Sequence, residues 1–484
     1  MKESNENQIY YEASQTQKAA FIGHLYAKTK KQIVPFNVSG SIKIKNLNLE
    51  ALKKAFDILI QRHEIFRTTL LMVNGEVKQK IWDHDSALFN IKITNLNKSK
   101  NKEKQLDQLR SDFSQVLFKC NQRPWLRAEL VMFDEKISIL LMVTPHMISD
   151  DSSINFIKKE LSLIYEAYLN GESIDIPKTF QYKDYVTEIN EILRSDKGEK
   201  YRLYWKNVLN ELPSNNLTTL FANSKSNKST SYKETIRKEI NECCRTISTK
   251  MENDFFGTVS FLKFERGASY HFIIDSQRLT ILKGLVKKSN VSMPHIIIAT
   301  FHLLIYKLTG ERDNIIGICS NTRERKELYN IIGCLTNTVL FRYKIEESID
   351  LIGYIKNVYI GFFKALRHQI YPFEKALCDS DVPFHRISNL FLNIIGSEDV
   401  INNNYNQEAV HRENAGNPYF NIDCGITIYN NIIDISCGYK TSLFSKDTIE
   451  FIFNSYLQLI DSFKINTTQK IQDIELMLYD KSKI

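Results

Sequence analysis

The stretch LMVTPHMISD, residues 141–150, is the most informative part of this chain. Its apolar first half belongs to a run from Ile137 to Val143 that predicts a buried strand. His146 follows that strand, and Asp150 comes four residues later. Two interpretations stay open at this point. Either the turn presents an imidazole for acid–base chemistry, or the strand simply ends before a helix whose N-cap is Ser149 or Asp150.

Five other segments carry motifs that accompany this one. They are YEASQTQ (11–17), RHEIFRTTL (62–70), YKDY (182–185), IGCLTNT (332–338) and HQIYPFE (368–374). Together with PHMISDD (145–151), they resemble, in the same order, the conserved segments of nonribosomal peptide synthetase condensation domains. In that family, part of the chloramphenicol acetyltransferase-like superfamily, the central motif is His-His-x-x-x-Asp-Gly. Each match alone is weak, but six in order extend over most of the chain.

The resemblance implies an α/β fold of two chloramphenicol acetyltransferase-like lobes, arranged as a V with a central cleft or tunnel. The length of 484 residues also exceeds that of a single compact core. We therefore expect an N-terminal lobe at 1–185, which carries the PHMISDD motif, and a C-terminal lobe at 186–484. A stretch rich in Asn, Ser, Thr and Lys predicts a polar linker or insertion at about 213–265.

The central motif departs from the family at two positions. Pro145 stands in place of the first histidine, and Asp151 in place of the glycine. The second histidine, which is the one tied to catalysis in the family, is present as His146. An imidazole with its ordinary pKa near 6.5 is mostly neutral at pH 7, so we expect His146 to orient or deprotonate an attacking amine.

Asp151 has three interpretations. Its charge would repel the oxyanion of a tetrahedral intermediate, attract a cationic amine, or cap a helix that starts near Ser153. The family resemblance implies that the neighbouring Asp150 is an anchor, which pairs across the cleft with an arginine from the other half of the chain. We nominate Arg323 as that partner, with Arg342 as the alternative. The other interpretation of Arg323 is that it faces solvent as part of the charged run at 323–327 and binds no carboxylate in the interior.

Ser149 and Asn337 are expected to line the cleft. The remaining histidines favour packing roles, such as helix-end packing for His63. The chain has no Gly-rich phosphate loop, no Gly-x-Ser-x-Gly elbow and no CxxC pair, so we predict no metal and no bound cofactor.

These observations predict a free-standing condensation enzyme that forms an amide between a carrier-bound acyl or aminoacyl thioester and an amine. The phosphopantetheine arm of an acyl or peptidyl carrier protein, acting in trans, would deliver the thioester. The amine acceptor would be free or carrier-bound. A docking module with a degenerate motif, which recruits other enzymes instead of catalysing, is the alternative function.

Charge and composition exclude other classes. The net charge of +8 is scattered, without a basic stripe interleaved with aromatic residues, so we predict no nucleic-acid partner. A mildly basic surface suits an acidic carrier protein. No apolar run approaches the roughly 20 residues of a membrane span, and the N-terminus is polar, so we expect no membrane segment or signal peptide. Eight cysteines without a CxxC pair favour the cytoplasm.

Periodicity also predicts individual elements. In the first part of the chain they are a helix at Leu49–His63 with Asn48 as N-cap, a hairpin at Asn74–Gly75, and helices at Leu106–Phe118, Ser153–Leu169 and Tyr182–Leu212. In the second part they are helices at Ser276–Ser289, Met293–Leu308, Leu351–His368 and Lys446–Phe463, strands at Asn314–Cys319 and Val339–Tyr343, and a hairpin around Asn430–Asn431.

Overall fold

The computed structural model describes residues 9–30, 37–173, 180–212, 217, 267–382, 384–387, 389–396, 418–464 and 468–476. Contacts divide the chain into two compact units. The described residues up to Glu199, together with Asn321–Thr336, belong to the first unit. Those from Lys200 onwards, apart from Asn321–Thr336, belong to the second.

The first unit contains two sheets and a set of helices. Its strands are β1 (Tyr11–Glu12), β2 (Asn37–Lys45), β3 (Thr68–Val73), β4 (Glu76–Ile81), β5 (Ile91–Asn95), β6 (Arg127–Met132) and β7 (Ile137–Pro145). Its helices are α1 (Gln15–Lys30), α2 (Leu49–Arg62), α3 (Lys102–Ser114), α4 (Asp151–Leu169) and α5 (Tyr182–Arg194), and α6 (Asp196–Val208) begins there and ends in the second unit.

Strand β7 lies inside a four-stranded sheet of order β2-β7-β6-β5. It pairs antiparallel with β2 and with β6, while β5 runs parallel to β6. Every residue of β7 after Ile137 is buried, which explains its uninterrupted apolar run. The ladder continues to Pro145, opposite Asn37, so the strand is two residues longer than predicted. A second sheet has the order β1-β4-β3.

Several predicted elements of the first unit are confirmed. Helix α2 begins after Asn48, whose side chain accepts a hydrogen bond from the Ala51 N–H. Strands β3 and β4 form the predicted hairpin, and Asn74 and Gly75 both have positive φ, as a tight primed turn requires.

Two predicted helices have different limits. The helix predicted at Leu106–Phe118 is α3, which begins and ends four residues earlier. The apolar pattern continued past its end because Val116 and Phe118, which follow the helix, pack on the same core. The stretch Tyr182–Leu212 contains two helices, α5 and α6, with Ser195 between them.

The second unit is built on one six-stranded sheet of order β10-β9-β11-β12-β13-β8. Its strands are β8 (Gly267–Ile274), β9 (Asp313–Asn321), β10 (Thr336–Lys344), β11 (Leu390–Ile395), β12 (Ile422–Ile428) and β13 (Ile433–Lys440). Its helices are α7 (Ser276–Ser289), α8 (Met293–Thr309), α9 (Leu351–Leu366), α10 (Phe373–Asp379) and α11 (Lys446–Ser462). Strand β11 is parallel to β9 and β12, and the predicted hairpin β12–β13 is present.

The contacts place the segment Asn321–Thr336 differently from the predicted lobes. Prediction divided the chain at residue 185, which lies within α5, whereas the units divide after Glu199. The chain leaves β9, contributes this segment to the first unit, and returns as β10. Apart from Leu217, the linker predicted at about 213–265 lies outside the described residues.

No single helix within the described ranges is long and apolar enough to span a membrane. Helices α7 and α8 have the length and composition of a membrane span only when they are taken together, and the chain bends by 106° between them. Most of α8 is buried in the second unit, as expected for a core helix.

Candidate active site

His146 begins a short 3₁₀ turn, His146–Ile148, at the end of β7. The Ser149 N–H closes this turn on the His146 carbonyl at 3.4 Å. Helix α4 then starts at Asp151, two residues earlier than predicted. A buried strand on one side and a helix on the other therefore fix the backbone of the histidine.

Asp150 has two functions in the fold. As the N-cap of α4 it accepts a hydrogen bond from the Ser153 N–H at 2.9 Å. It also forms a bidentate ion pair with Arg323, with Nη1–Oδ2 and Nη2–Oδ1 distances of 2.6 and 2.9 Å. The two side chains are only 1% and 4% exposed. Burial alone would raise the pKa of Asp150, but the charge and hydrogen bonds of Arg323 hold it below its usual value.

The nominated pair is thus present, and a solvent-facing Arg323 is wrong. The alternative partner, Arg342, binds Asp313 at 2.8 Å in the second unit. Arg323 lies in the segment Asn321–Thr336, so the pair lies inside the first unit, and the prediction of a pair across the cleft is wrong.

The same network holds the backbone of the IGCLTNT motif. The Leu335 N–H donates to Asp150 Oδ2 at 2.9 Å. The Ser153 hydroxyl accepts from the Gly333 N–H at 3.1 Å and lies 2.8 Å from the Gly333 carbonyl oxygen. Arg323 Nη2 also donates to that carbonyl at 3.2 Å. The peptides before and after Cys334 are therefore both fixed by residues at or near the start of α4.

Tyr182, from the YKDY motif, packs against the same segment. A side chain at Gly333 would overlap the Tyr182 ring, so this close approach requires glycine. The Tyr182 hydroxyl lies 3.2 Å from the Cys334 carbonyl oxygen and 3.1 Å from Ser14 Oγ. Ser14 and Gln17, of the YEASQTQ motif, bond each other reciprocally at the start of α1. Four of the six motifs thus meet in one hydrogen-bonded cluster.

The RHEIFRTTL motif supports α4 from another side. His63 Nε2 lies 2.7 Å from a Glu160 carboxylate oxygen, and Arg62 Nε lies 3.0 Å from the other. This buried contact ties the end of α2 to α4, which agrees with the packing role predicted for His63.

The His146 imidazole lies beside a cysteine. Its Nδ1 is 3.5 Å from Cys334 Sγ. Burial lowers the pKa of His146, but the Cys334 sulfur and the carboxylates of Asp151 and Asp150 outweigh burial and raise it to about 9. The raised pKa favours the charged imidazole over the mostly neutral ring expected from the ordinary pKa.

Asp151 is the exposed first residue of α4. The capping interpretation is wrong for this residue, because Asp150 already occupies the N-cap. A carboxylate in the first helical turn suits the positive end of the helix dipole. Its charge also contributes to the raised pKa of His146.

Ser149 does not line a cleft. Its side chain is 0% exposed, and its hydroxyl bonds the Thr144 hydroxyl and, at 3.4 Å, the Pro145 carbonyl. The residue that follows the short turn is therefore in the interior, which the sequence pattern did not predict.

Asn337 belongs to the second unit and holds the HQIYPFE motif. Its Nδ2 donates to the Gln369 and Tyr371 carbonyls at 2.6 and 2.7 Å, and its Oδ1 accepts from the Phe373 N–H at 3.1 Å. These bonds give it a structural role there, and its place at a cleft stays a prediction.

Comparison with known proteins identifies the family. The family model described as Condensation domain matches residues 7–259 and 264–483. The chain belongs to the condensation domain family. Its relatives include surfactin synthase subunit 2 of Bacillus subtilis (strain 168), 24% identical over 98% of this chain, and bacitracin synthase 2 of Bacillus licheniformis, 25% identical over 98%. The chain spans only 12% and 16% of those two proteins.

Solved structures share the fold of this condensation domain. The X-domain from teicoplanin biosynthesis aligns with a TM-score of 0.76 at 16% identity, covering 98% of this chain and 99% of that one. The first condensation domain of the calcium-dependent antibiotic synthetase aligns with a TM-score of 0.72 at 11% identity, covering 97% and 99%. The predicted α/β fold of a condensation domain is therefore confirmed.

Prediction missed two side chains of the condensation-domain site. Ser153 was considered only as the start of a helix, although its position three residues after an N-cap aspartate is typical of a capping contact. Cys334 was not predicted as a site residue. Its place inside the IGCLTNT motif was the available signal, but only the folded chain puts it beside His146.

Among the described residues, no group of three His, Cys, Asp or Glu side chains is arranged to hold a metal ion.

The buried pair predicts a large loss of stability for Asp150→Ala. This change leaves Arg323 buried without a counter-charge and removes a helix cap. We expect the free energy of unfolding of the first unit to fall by about 3–5 kcal/mol. Asn48→Ala, which removes the N-cap of α2 in the same unit, should cost only about 1 kcal/mol.

Urea unfolding followed by tryptophan fluorescence measures both losses. Trp82 and Trp125 lie in the first unit, so a Trp205→Phe background makes the signal specific to it. Similar losses for the two variants would mean that the ion pair adds nothing beyond a helix cap.

Proposed function

We propose that this condensation domain forms an amide bond between an acyl or aminoacyl thioester, carried by a carrier protein, and an amine. The observation that supports this most is the intact network around His146. Asp150 and Arg323 are paired, and the motif histidine is held at the end of β7, where its raised pKa favours the charged ring.

The chemistry needs little from the protein beyond positioning and charge. The amine nitrogen attacks the thioester carbonyl, a C–N bond forms, and the carbonyl oxygen becomes negative. The C–S bond then breaks, the carrier thiol leaves, and the amine proton passes to the sulfur or to solvent. A charged His146 donates a hydrogen bond to the developing oxyanion, which is the stage at which such a donor accelerates the reaction.

In this proposal the thioester arrives on the phosphopantetheine arm of a carrier protein, and the domain itself binds no cofactor. The net charge of +8 favours an acidic carrier. The amine acceptor is free or carrier-bound. The absence of a basic stripe and the cysteine usage support a protein partner in the cytoplasm rather than nucleic acid or a membrane.

A second candidate function is docking without catalysis. The fold similarity to the teicoplanin X-domain favours it, because that domain has been solved in complex with OxyB. The X-domain in that complex aligns with this chain with a TM-score of 0.74. Pro145 and Asp151, the two departures from the motif, also favour it.

One experiment separates the two functions. The domain is incubated with acyl-loaded carrier protein and a panel of amines, and products are identified by mass spectrometry. Amide formation above the rate without protein supports the enzyme. No amide, together with co-elution of the domain with a biosynthetic enzyme in size-exclusion chromatography, supports docking.

His146→Ala tests the assigned donor. We expect amide formation to fall by about 10²-fold or more, because the oxyanion loses a charged partner. His271→Ala removes an exposed histidine of the second unit and serves as the matched control, with turnover unchanged. If both variants turn over like the parent and remain folded, His146 has no catalytic role.

Substitutions of Asp151 distinguish the two interpretations that remain for this residue: it attracts a cationic amine, or it repels the oxyanion and suppresses catalysis. Asp151→Asn keeps the size of the side chain and removes its charge. If the carboxylate binds a cationic amine, KM rises for cationic amines and stays unchanged for neutral ones, which is the outcome we expect. Asp151→Gly restores the residue that the family motif has. A clear gain of amide formation in that variant would instead show that Asp151 suppresses catalysis, and would favour docking.

A further inference from the structure

The side chain of Cys334 has little freedom to move. Its preceding residue, Gly333, is bound through both backbone groups by Ser153, and its following N–H is bound by Asp150. Only 6% of Cys334 is exposed. The backbone therefore directs the sulfur to one place, which is 3.5 Å from His146 Nδ1.

The surroundings of this sulfur differ from those of another buried cysteine. Cys120, in the same unit, is 4% exposed, and burial raises the pKa of its thiol to about 12. Cys334 is similarly buried, but its sulfur meets an imidazole, and the Thr336 hydroxyl lies 3.6 Å away as a possible donor. A thiolate needs such donors or cations to exist in a buried place.

Other titratable groups lie around the pair. Besides Cys334, Asp151 and Asp150 act on His146, and both are negative. Tyr182 and Tyr185 face Cys334, and burial, as the largest cause, raises the pKa of both hydroxyls, so they remain neutral. Helix α1 lies against the His146 turn and carries Lys18 in its first two turns. Most of the nearby charge thus favours a cationic imidazole.

We propose that Cys334 is a positioning residue for His146, and that the sulfur and the imidazole form a thiolate–imidazolium pair. One proton moves from Sγ to Nδ1, and no other reactant takes part. The pair fixes the orientation of the ring and keeps it charged. Its effect on catalysis rests on the proposed amide-forming function, whereas the existence of the pair does not.

The first test is a titration of the folded chain by NMR with ¹³Cε1-labelled histidine. His146→Gln assigns the signal. We expect its midpoint near pH 9 in the parent, as its pKa of about 9 implies, and a shift to lower pH, towards the ordinary 6.5 or so, in Cys334→Ser. Serine keeps the size and a hydrogen bond but does not ionise. Cys120→Ser is the matched control and should leave the midpoint unchanged.

Thiolate absorbance in the ultraviolet gives an independent reading. The difference between the parent and Cys334→Ser should show a thiolate at neutral pH. In the His146→Gln variant, the difference between the spectra without and with Cys334→Ser should show no thiolate at neutral pH. An unmoved His146 midpoint in Cys334→Ser, or no thiolate at neutral pH, would overturn the pair and leave Cys334 as a packing residue.

The pH dependence of amide formation tests the positioning role. The raised pKa keeps His146 charged up to about pH 9, so the parent should lose activity only as the pH rises through that value. Cys334→Ser should lose activity at lower pH, by roughly tenfold near pH 8 and much less near pH 6. A fall by the same factor at all pH values would show that Cys334 acts only by packing. If the parent makes no amide, the titration and the absorbance still decide whether the pair exists.

Discussion

The ion pair between Asp150 and Arg323 is the interaction on which the described site depends. Two opposite charges at 1% and 4% exposure are costly to remove from water, and only good geometry with further hydrogen bonds offsets that cost. The site supplies both, because the carboxylate also caps α4 and accepts from the Leu335 N–H. One carboxylate thus caps the helix that follows His146 and fixes the distant segment that contains Leu335.

The raised pKa of His146 is a consequence of that arrangement. Fixing the segment around Cys334 places a sulfur against the imidazole, while the start of α4 places two carboxylates nearby. Burial works against the charge, but these groups together outweigh burial. The raised pKa favours the charged form of the ring, which is the form that the proposed hydrogen bond to an oxyanion requires.

The two departures from the family motif have different physical consequences. Pro145 ends β7 opposite Asn37, and the turn that holds His146 follows it directly. Asp151 is the first residue of α4, where a carboxylate suits the helix N-terminus. It does, however, add a negative charge near His146. The effect of that charge on amide formation distinguishes the proposed enzyme from the docking module.

The sequence by itself determined the elements and the family. Apolar periodicity located β7, α2 and α8, since burial of one face or of a whole element leaves a local pattern. Motif order led to the condensation family and to the pairing of Asp150 with Arg323. Only the tertiary structure decided that residues 321–336 belong to the first unit, that Ser149 is buried, and that Cys334 contacts His146. These depend on hydrogen bonds between segments some 180 residues apart, such as Ser153 to Gly333, and no local pattern records them.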